Sequence, residues 1–123
     1  MLPRLQKLRK EFNDKRDIAY RYFYMLSIFN NLKLTEREID LLTHIAVKGN
    51  IGSMSSKKEF MNLYETTINT LNNTICKLNK KKLIVKVSGK YRINPAIQID
   101  FQEDREVYIF EFTCLFQNEL KIK

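Results

Sequence analysis

Apolar residues recur at intervals of three and four positions along much of the chain, and this spacing predicts a mainly helical protein. The clearest example is TTINTLNNTICKLNKKKLI, in which the apolar positions are Ile68, Leu71, Ile75 and Leu78. Side chains at this spacing lie on one face of a helix. The opposite face carries asparagines, threonines and lysines, so the sequence predicts an amphipathic helix at about 67–82.

The pattern changes from helical to alternating in the next stretch, LIVKVSGKYRINP. Val85 and Val87 point to one side of an extended chain and Lys86 to the other, and alternation resumes after Ser88–Gly89. Two short alternating runs on either side of a glycine-containing turn are typical of a β-hairpin. The sequence therefore predicts an antiparallel hairpin at 84–94, directly after the helix.

Capping signals predict two earlier helices. Thr35 and Glu38 have capping-box spacing ahead of an apolar stripe that ends at Gly49. Ser56 and Glu59 repeat this spacing and predict the start of a short second helix. Its inward-facing residues are expected to be Phe60, Leu63 and Tyr64. A tight turn then leads into the helix at 67–82, which is the element order of a helix-turn-helix.

The two ends of the chain extend this central part. Helical spacing runs through residues 3–31, with Asn13–Asp14 as a candidate boundary between two helices. The second half of this segment is apolar nearly all round and needs partners on several sides. Those partners are either a second copy of the chain or the rest of its own fold. The candidate dimerisation residues are Tyr22, Phe23, Met25 and Phe29. Alternating aromatic residues predict a second β-hairpin within 96–120.

Together these elements predict the α+β class, mainly α with a small antiparallel β-sheet. The predicted segments are an N-terminal helical extension at 1–31, a helix-turn-helix with its hairpin at 34–95, and a C-terminal hairpin extension at 96–120. A length of 123 residues is enough for one modest hydrophobic core.

The distribution of charge along the chain gives information about its binding partner. The chain carries a formal net charge of +8, and residues 66–95 contain seven basic residues and no acidic one. A clustered excess of this size favours a polyanionic partner, although charge can also serve solubility alone. No stretch approaches the ~20 apolar residues of a membrane-spanning helix, and residues 1–30 lack a signal-peptide pattern. We therefore expect a cytoplasmic protein without a membrane partner.

Catalytic and ligand chemistry find little support in the residue pattern. The single histidine, His44, lies among apolar neighbours without a nucleophile or carboxylate directed at it, and we expect a partly exposed structural histidine. Cys76 and Cys114 lack metal-ligand spacing and are expected to be buried, reduced thiols. We expect no enzymatic activity, no metal or other cofactor, and no small-molecule ligand.

The central segment resembles a known family of DNA-binding modules. LTEREIDLLTHIA, SSKKEF and INTLNNTICKLNKKKLIVKVSGKYRINP are similar to the winged helix-turn-helix of the broad MarR-like and phage or plasmid replication-regulator type. The resemblance covers about residues 34–95, and KLNKKKLI stands where that family has a helix ending of the form KLEKKGLI. Lys82 replaces the usual glycine, which leaves the manner in which this helix ends open.

The resemblance implies that the helix at 67–82 enters the major groove and that the wing at 84–94 contacts flanking backbone. Asparagine amides can pair with adenine, hydroxyls with phosphates, and cations with the backbone. The predicted DNA-binding residues are Thr67, Asn69, Thr70, Asn72, Asn73, Lys77, Lys80, Lys81, Lys86, Lys90 and Arg92.

These observations give two functional hypotheses. The first is a dimeric, non-enzymatic regulator of transcription or replication, bacterial or phage, that binds double-stranded DNA. The second is a structural or accessory subunit of a larger assembly, such as a phage particle or polymerase complex, in which the same module makes protein contacts. RNA binding is less favoured because stacking-platform motifs are missing from the sequence.

Overall fold

The computed structural model describes residues 14–99, which form four α-helices and one two-stranded antiparallel sheet. In chain order these are α1 (Lys15–Phe29), α2 (Glu36–Lys48), α3 (Met54–Tyr64), α4 (Ile68–Lys80), β1 (Ile84–Val87) and β2 (Lys90–Ile93). A short 3-10 helix, Pro95–Ile97, follows. The predicted α+β class is thereby confirmed.

Helix α1 begins at the boundary that the sequence suggested. Asp14 is its N-cap, and the Asp14 carboxylate accepts a hydrogen bond from the backbone N–H of Asp17 at 3.0 Å. The part of the predicted helix that precedes Asp14 lies outside the described residues. At the other end, residues 95–97 form a 3-10 helix where an extended strand was expected. The remainder of the predicted C-terminal hairpin lies outside the described residues.

Helix α2 has the predicted capping box. Thr35 Oγ1 accepts from the backbone N–H of Glu38 at 3.2 Å, and the Glu38 carboxylate accepts from the N–H of Thr35 at 2.9 Å. These two bonds satisfy helix-terminal donors that would otherwise have no partner. The helix ends at Gly49, whose φ of 99° lies in the region that favours glycine.

The predicted start of α3 was wrong by three residues. Ser53, and not Ser56, is the N-cap, because its hydroxyl oxygen accepts from the N–H of Ser56 at 3.1 Å. Ser56 then accepts from the N–H of Gly52 at 3.1 Å and completes the cap. The expectation for Leu63 was also wrong, since it is 53% exposed while Phe60 is buried.

One hydrophobic core joins all of the described elements. Its members from α1 are Ala19, Phe23 and Leu26, and α2 contributes Ile39, Leu41, Leu42 and Ile45. The later elements add Phe60, Leu71, Ile75, Leu78, Leu83, Ile84 and Ile93. The segment 15–29, which the sequence assigned to an N-terminal extension, therefore packs into the same core as the elements that follow it.

Hydrogen bonds attach α1 to later parts of the chain, and two of them reach residues 48 and 75 positions away. Arg16 Nη1 donates to the Tyr64 hydroxyl of α3 at 2.7 Å. The Tyr22 hydroxyl donates to the carbonyl oxygen of Ile97 at 3.0 Å. The backbone N–H of Leu34 donates to Ser27 Oγ at 3.0 Å, which fixes the connection to α2.

The hairpin of β1 and β2 has the predicted two-residue turn. Val87 pairs with Lys90, and between them Ser88 and Gly89 have φ values of 53° and 79°. Positive φ at both positions is the requirement of the type I′ turn that suits the twist of paired strands. Ile51, in the loop before α3, exchanges two backbone hydrogen bonds with Tyr91 and adds an isolated bridge to this sheet.

Candidate nucleic-acid interface

Helix α4 divides into a buried and an exposed side. The buried residues are Leu71, Thr74, Ile75 and Leu78. The exposed residues are Asn69, Asn72, Asn73, Cys76, Lys77, Asn79 and Lys80. Because successive helical residues are rotated by about 100°, positions 69, 73, 76 and 80 fall within about 60° of one another. They form the centre line of the exposed side, which carries no acidic residue.

Cys76 corrects one expectation. The sequence pattern next to Ile75 suggested a buried thiol, but Cys76 is exposed. Its position three residues after Asn73 and four before Lys80 places it on the polar side of the helix. Helical spacing measured from the asparagines, instead of from the apolar neighbour, would have found this.

The first turn of α4 uses the hydroxyl of Thr67 to cap the helix. Thr67 Oγ1 accepts from the N–H of Thr70 at 3.2 Å and donates to Thr70 Oγ1 at 3.0 Å. The sequence predicted phosphate contacts for both threonines. The structure gives each hydroxyl an intramolecular bond at the exposed start of the helix, and their contact with phosphate stays a prediction.

A lysine of α3 adjoins this side, although the sequence analysis did not select it. Lys57 Nζ donates to the Asn72 side-chain oxygen at 3.1 Å. The neighbouring Lys58 is exposed, and the first turn of α3 holds no acidic residue. The signal in the sequence was the run SSKKEF, in which two lysines follow the helix cap. Lys57 therefore belongs to the cationic surface around α4.

Lys81 differs from the other lysines at the end of α4. Its Nζ lies 3.0 Å from Glu38 Oε2, and the side chain of Glu38 is only 3% exposed. Burial alone would raise the pKa of the Glu38 carboxyl. The bond from the Thr35 backbone and the ammonium of Lys81 outweigh this effect and hold the pKa below its ordinary value. Lys77 and Lys80 are exposed in the last turn.

The three hairpin cations lie on two faces of the sheet. Lys86 is opposite Tyr91, with its Nζ 5.7 Å from the centroid of the Tyr91 ring. Lys90 and Arg92 alternate with Tyr91 along β2, so they point to the other face. Val85 and Val87 share that other face, as the predicted alternation requires. Each face of the hairpin therefore carries positive charge.

Close backbone approach fixes the hairpin tip against the loop before α3. A Cβ atom at Gly52 would lie 2.9 Å from the Cα of Lys90 and 3.0 Å from the carbonyl oxygen of Gly89. Only glycine fits this contact without movement of the backbone. Since Gly52 directly precedes the N-cap of α3, the hairpin tip and the lysine-bearing start of α3 are neighbours.

The candidate dimerisation residues are divided between the core and the surface. Phe23 is fully buried in its own chain, so it offers no surface to a second copy. Tyr22 is partly buried and bonds to Ile97. Met25 and Phe29 are 40% and 48% exposed. The other exposed apolar side chains of α1 are Tyr24 and Ile28.

His44 is fully buried, and not partly exposed as expected. Neither ring nitrogen has a hydrogen-bond partner among residues 14–99, and Phe60 contacts the ring edge-on at 5.2 Å between centroids. Burial is the main cause that lowers the pKa of His44 to about 4. Among residues 14–99, no group of three or more His, Cys, Asp or Glu side chains could hold a metal ion.

Helices α3 and α4 and the hairpin therefore form a helix–helix–hairpin unit, in which α4 exposes asparagine and lysine side chains. Comparisons of the chain with protein-family models, with curated proteins and with solved structures found no match. Within the described part of the chain, none of the helices has the length and apolar content needed to cross a membrane.

Proposed function

We propose that this chain is a non-enzymatic DNA-binding protein of the winged helix-turn-helix class, and that it regulates transcription or replication in a bacterium or a phage. In this proposal α3 and α4 are the helix-turn-helix and the hairpin is the wing. The observation that carries it is the exposed side of α4, which presents four asparagines and two lysines without an acidic residue.

In this arrangement α4 lies in the major groove and its centre line faces the base edges. Asn69 and Asn73 are placed to pair with adenine through their amides. Lys77 and Lys80 neutralise phosphates, and so do the cations on the two faces of the wing. Asn72 already accepts a bond from Lys57, so we assign Lys57 to the phosphate contacts beside it.

The first test is fluorescence anisotropy of labelled duplex DNA with the whole protein at several salt concentrations. We expect log K to fall linearly with log salt, with a slope of about −0.9 for each phosphate contact. Replacing Asn73 with alanine should weaken discrimination between adenine and other bases by about 1–3 kcal/mol at one position of a selected site. Arg21→Gln, on the exposed surface of α1, is the matched control. Absence of binding at low salt would contradict the proposal.

Cys76 provides a second probe of the same surface. In a Cys114→Ser background, alkylation of the exposed Cys76 with a bulky maleimide should lower DNA affinity at least about tenfold, because the adduct stands between α4 and the groove floor. Cys76→Ser treated with the same reagent is the control and should bind as before. Unchanged affinity of the alkylated protein would remove α4 from the interface.

The exposed apolar residues of α1 support a further part of the proposal, self-association. Tyr24, Met25 and Ile28 are 40%, 40% and 58% exposed on one helix, and exposed apolar clusters mark protein contacts. A second copy would set the spacing of two DNA half-sites. Sedimentation equilibrium should show a dimer that Ile28→Glu dissociates. A monomer that still binds duplex DNA would disprove only the dimer.

The exposed apolar residues of α1 also fit the second candidate function, a subunit of a larger assembly that contacts protein and not DNA. The anisotropy titration distinguishes the two, because an assembly subunit has no need for salt-dependent duplex binding.

A further inference from the structure

An ammonium group from α3 holds the side chain of Asn72. Lys57 Nζ donates to the Asn72 side-chain oxygen at 3.1 Å. A lysine ammonium group has donors and no acceptor, so the amide atom that faces it is the oxygen and not the nitrogen. The contact therefore fixes the direction in which the Asn72 amide is turned.

Both partners of this bond stand near helix starts that are held in place. The backbone N–H of Lys57 donates to the carbonyl oxygen of Ser53, the N-cap of α3, at 3.0 Å. The close approach of Gly52 to the hairpin tip fixes the loop before this cap. Asn72 follows the capped first turn of α4. Lys57 is half-buried, whereas the neighbouring Lys58 is exposed.

The bond leaves hydrogen-bond donors for a further partner. With its oxygen turned to Lys57, the Asn72 amide presents its nitrogen, which carries two N–H donors, on the other side of the group. The ammonium group of Lys57 is itself a donor. Asn72 and Lys57 together therefore form a donor-rich pair on the side of α4 that carries no acidic residue.

Base edges in the major groove respond differently to such a pair. Adenine presents the acceptor N7 beside an amino donor, and an asparagine that pairs with both needs its oxygen for the amino group. At Asn72 this amino group would meet the ammonium group of Lys57 beside the same oxygen, and positively charged donors repel each other. Guanine presents two acceptors, N7 and O6, and both attract N–H donors.

We propose that Lys57 is a positioning residue that turns Asn72 toward guanine, while Asn69 and Asn73 pair with adenine. This inference rests on the proposed DNA binding of α4, and it names a base that the helix selects. The ammonium group of Lys57 has three N–H donors, so it also serves the phosphate contact assigned to it.

The test is the selection of duplexes from a randomised pool by the whole protein and its variants. Asn72→Ala identifies the base pair that Asn72 contacts, because that position alone should lose its preference. In the unchanged protein we expect guanine there, favoured over adenine at least about fivefold. Lys57→Met keeps the length of the side chain and frees the amide, so adenine should bind there at least as well as guanine. Lys57→Arg restores a donor and should restore guanine.

Lys58→Met is the matched control, because it removes the same charge from an exposed neighbour in the same helix. A phosphate contact carries no sequence information. Any change in affinity should therefore be equal for all duplexes in this variant, and the preference for guanine should stay the same.

The bond between Lys57 and Asn72 is also measured without DNA, from the side-chain amide signals of Asn72 in ¹H–¹⁵N spectra of the labelled protein. Lys57→Met should shift these signals, and Lys58→Met should leave them in place. Unchanged signals in Lys57→Met would overturn the inference.

The outcomes of the selection separate this inference from the proposed function. Adenine at the Asn72 position, an unchanged preference in Lys57→Met, or an equal change in Lys58→Met would overturn the role of Lys57 and leave DNA binding intact. A preference that survives in Asn72→Ala at every position would do the same. Absence of duplex binding at low salt would overturn both.

Discussion

The His44 ring is buried and uncharged, and neither of its nitrogens forms a hydrogen bond with any of residues 14–99. The charged groups around it oppose each other. Arg16 and Lys48 lower the pKa of His44, while Glu59, whose Oε1 lies 3.9 Å from Nε2, raises it. Desolvation is larger than any of these, so the folded protein holds His44 neutral well below pH 6.5.

The lowered pKa of His44 makes the free energy of unfolding depend on pH in the acidic range. The folded pKa of about 4 lies below the unfolded value of 6.5, so between these pH values the unfolded chain binds more protons. The free energy of unfolding is then highest above pH 6.5 and falls as the pH drops toward 4, by on the order of 2–3 kcal/mol. His44→Leu should flatten this part of the curve, measured by urea unfolding at several pH values. An equally steep fall in the variant would contradict the assignment.

Single residues also show where the sequence was informative and where it was not. The start of α2 was predicted correctly, because Thr35 and Glu38 each have only one local capping partner, which is the other residue. Ser53 and Ser56 each have a possible capping partner three residues later, and in the structure the Ser53 hydroxyl accepts from the N–H of Ser56, so Ser53 is the cap. Nothing in the sequence pairs Lys81 with Glu38, since this contact spans 43 residues.

At the scale of the element, the end of α4 shows how a helix stops without glycine. The N–H of Leu83 donates to the carbonyl of Leu78 at 3.1 Å, and that of Lys82 donates to Asn79 at 3.0 Å. This is the Schellman pattern, which requires a left-handed residue after the cap. Lys82 adopts it with a φ of 62°. The helix therefore ends in a Schellman motif, with Lys82 in the left-handed position that glycine usually takes.

Because an L side chain is disfavoured in this conformation, Lys82→Gly should stabilise the fold. We expect a gain of about 0.5–1 kcal/mol in the free energy of unfolding, measured by denaturant titration. Lys77→Gly is the matched control at an exposed position inside the helix, and it should cost about 1 kcal/mol. A loss of stability in Lys82→Gly would show that its side chain makes a contact that outweighs the strain.

The hairpin was the element best predicted from sequence. Alternation around Ser88–Gly89 gave both its strands and its turn, because turn geometry is local. The position of the hairpin could not be obtained in this way. It depends on Gly52 and on the Ile51–Tyr91 bridge, which join parts of the chain that are remote in sequence. Side-chain burial on α3, where Leu63 is exposed, likewise depends on neighbours that local spacing does not reveal.

At the scale of the whole molecule, Lys81 helps to hold the fold, whereas the side chains of Lys77 and Lys80 are exposed. Lys81 neutralises a buried carboxylate that also caps α2. We therefore infer that Lys81 positions α4 and does not contact phosphate, in contrast to its assignment from the sequence. Lys80, one residue earlier, has no such partner among residues 14–99.

The two lysines should therefore respond differently to the same change. Lys81→Gln leaves Glu38 without its cation and should cost about 1–3 kcal/mol of stability, while the slope of log K against log salt stays the same. Lys80→Gln should reduce that slope by about 1 and change stability by less than about 0.5 kcal/mol. Denaturant titration and DNA anisotropy measure the two effects. A reduced slope in Lys81→Gln would restore Lys81 to the DNA contacts.

The Tyr22–Ile97 hydrogen bond and the buried Ile99 join α1 to a segment that is synthesised much later. Helix α1 leaves the ribosome before the other described elements, but the carbonyl group that accepts from the Tyr22 hydroxyl lies 75 residues further along the chain. Until Ile97 emerges, the Tyr22 hydroxyl lacks this acceptor. The hydrogen bond between Tyr22 and Ile97 therefore forms only after α2, α3, α4 and the hairpin have been synthesised.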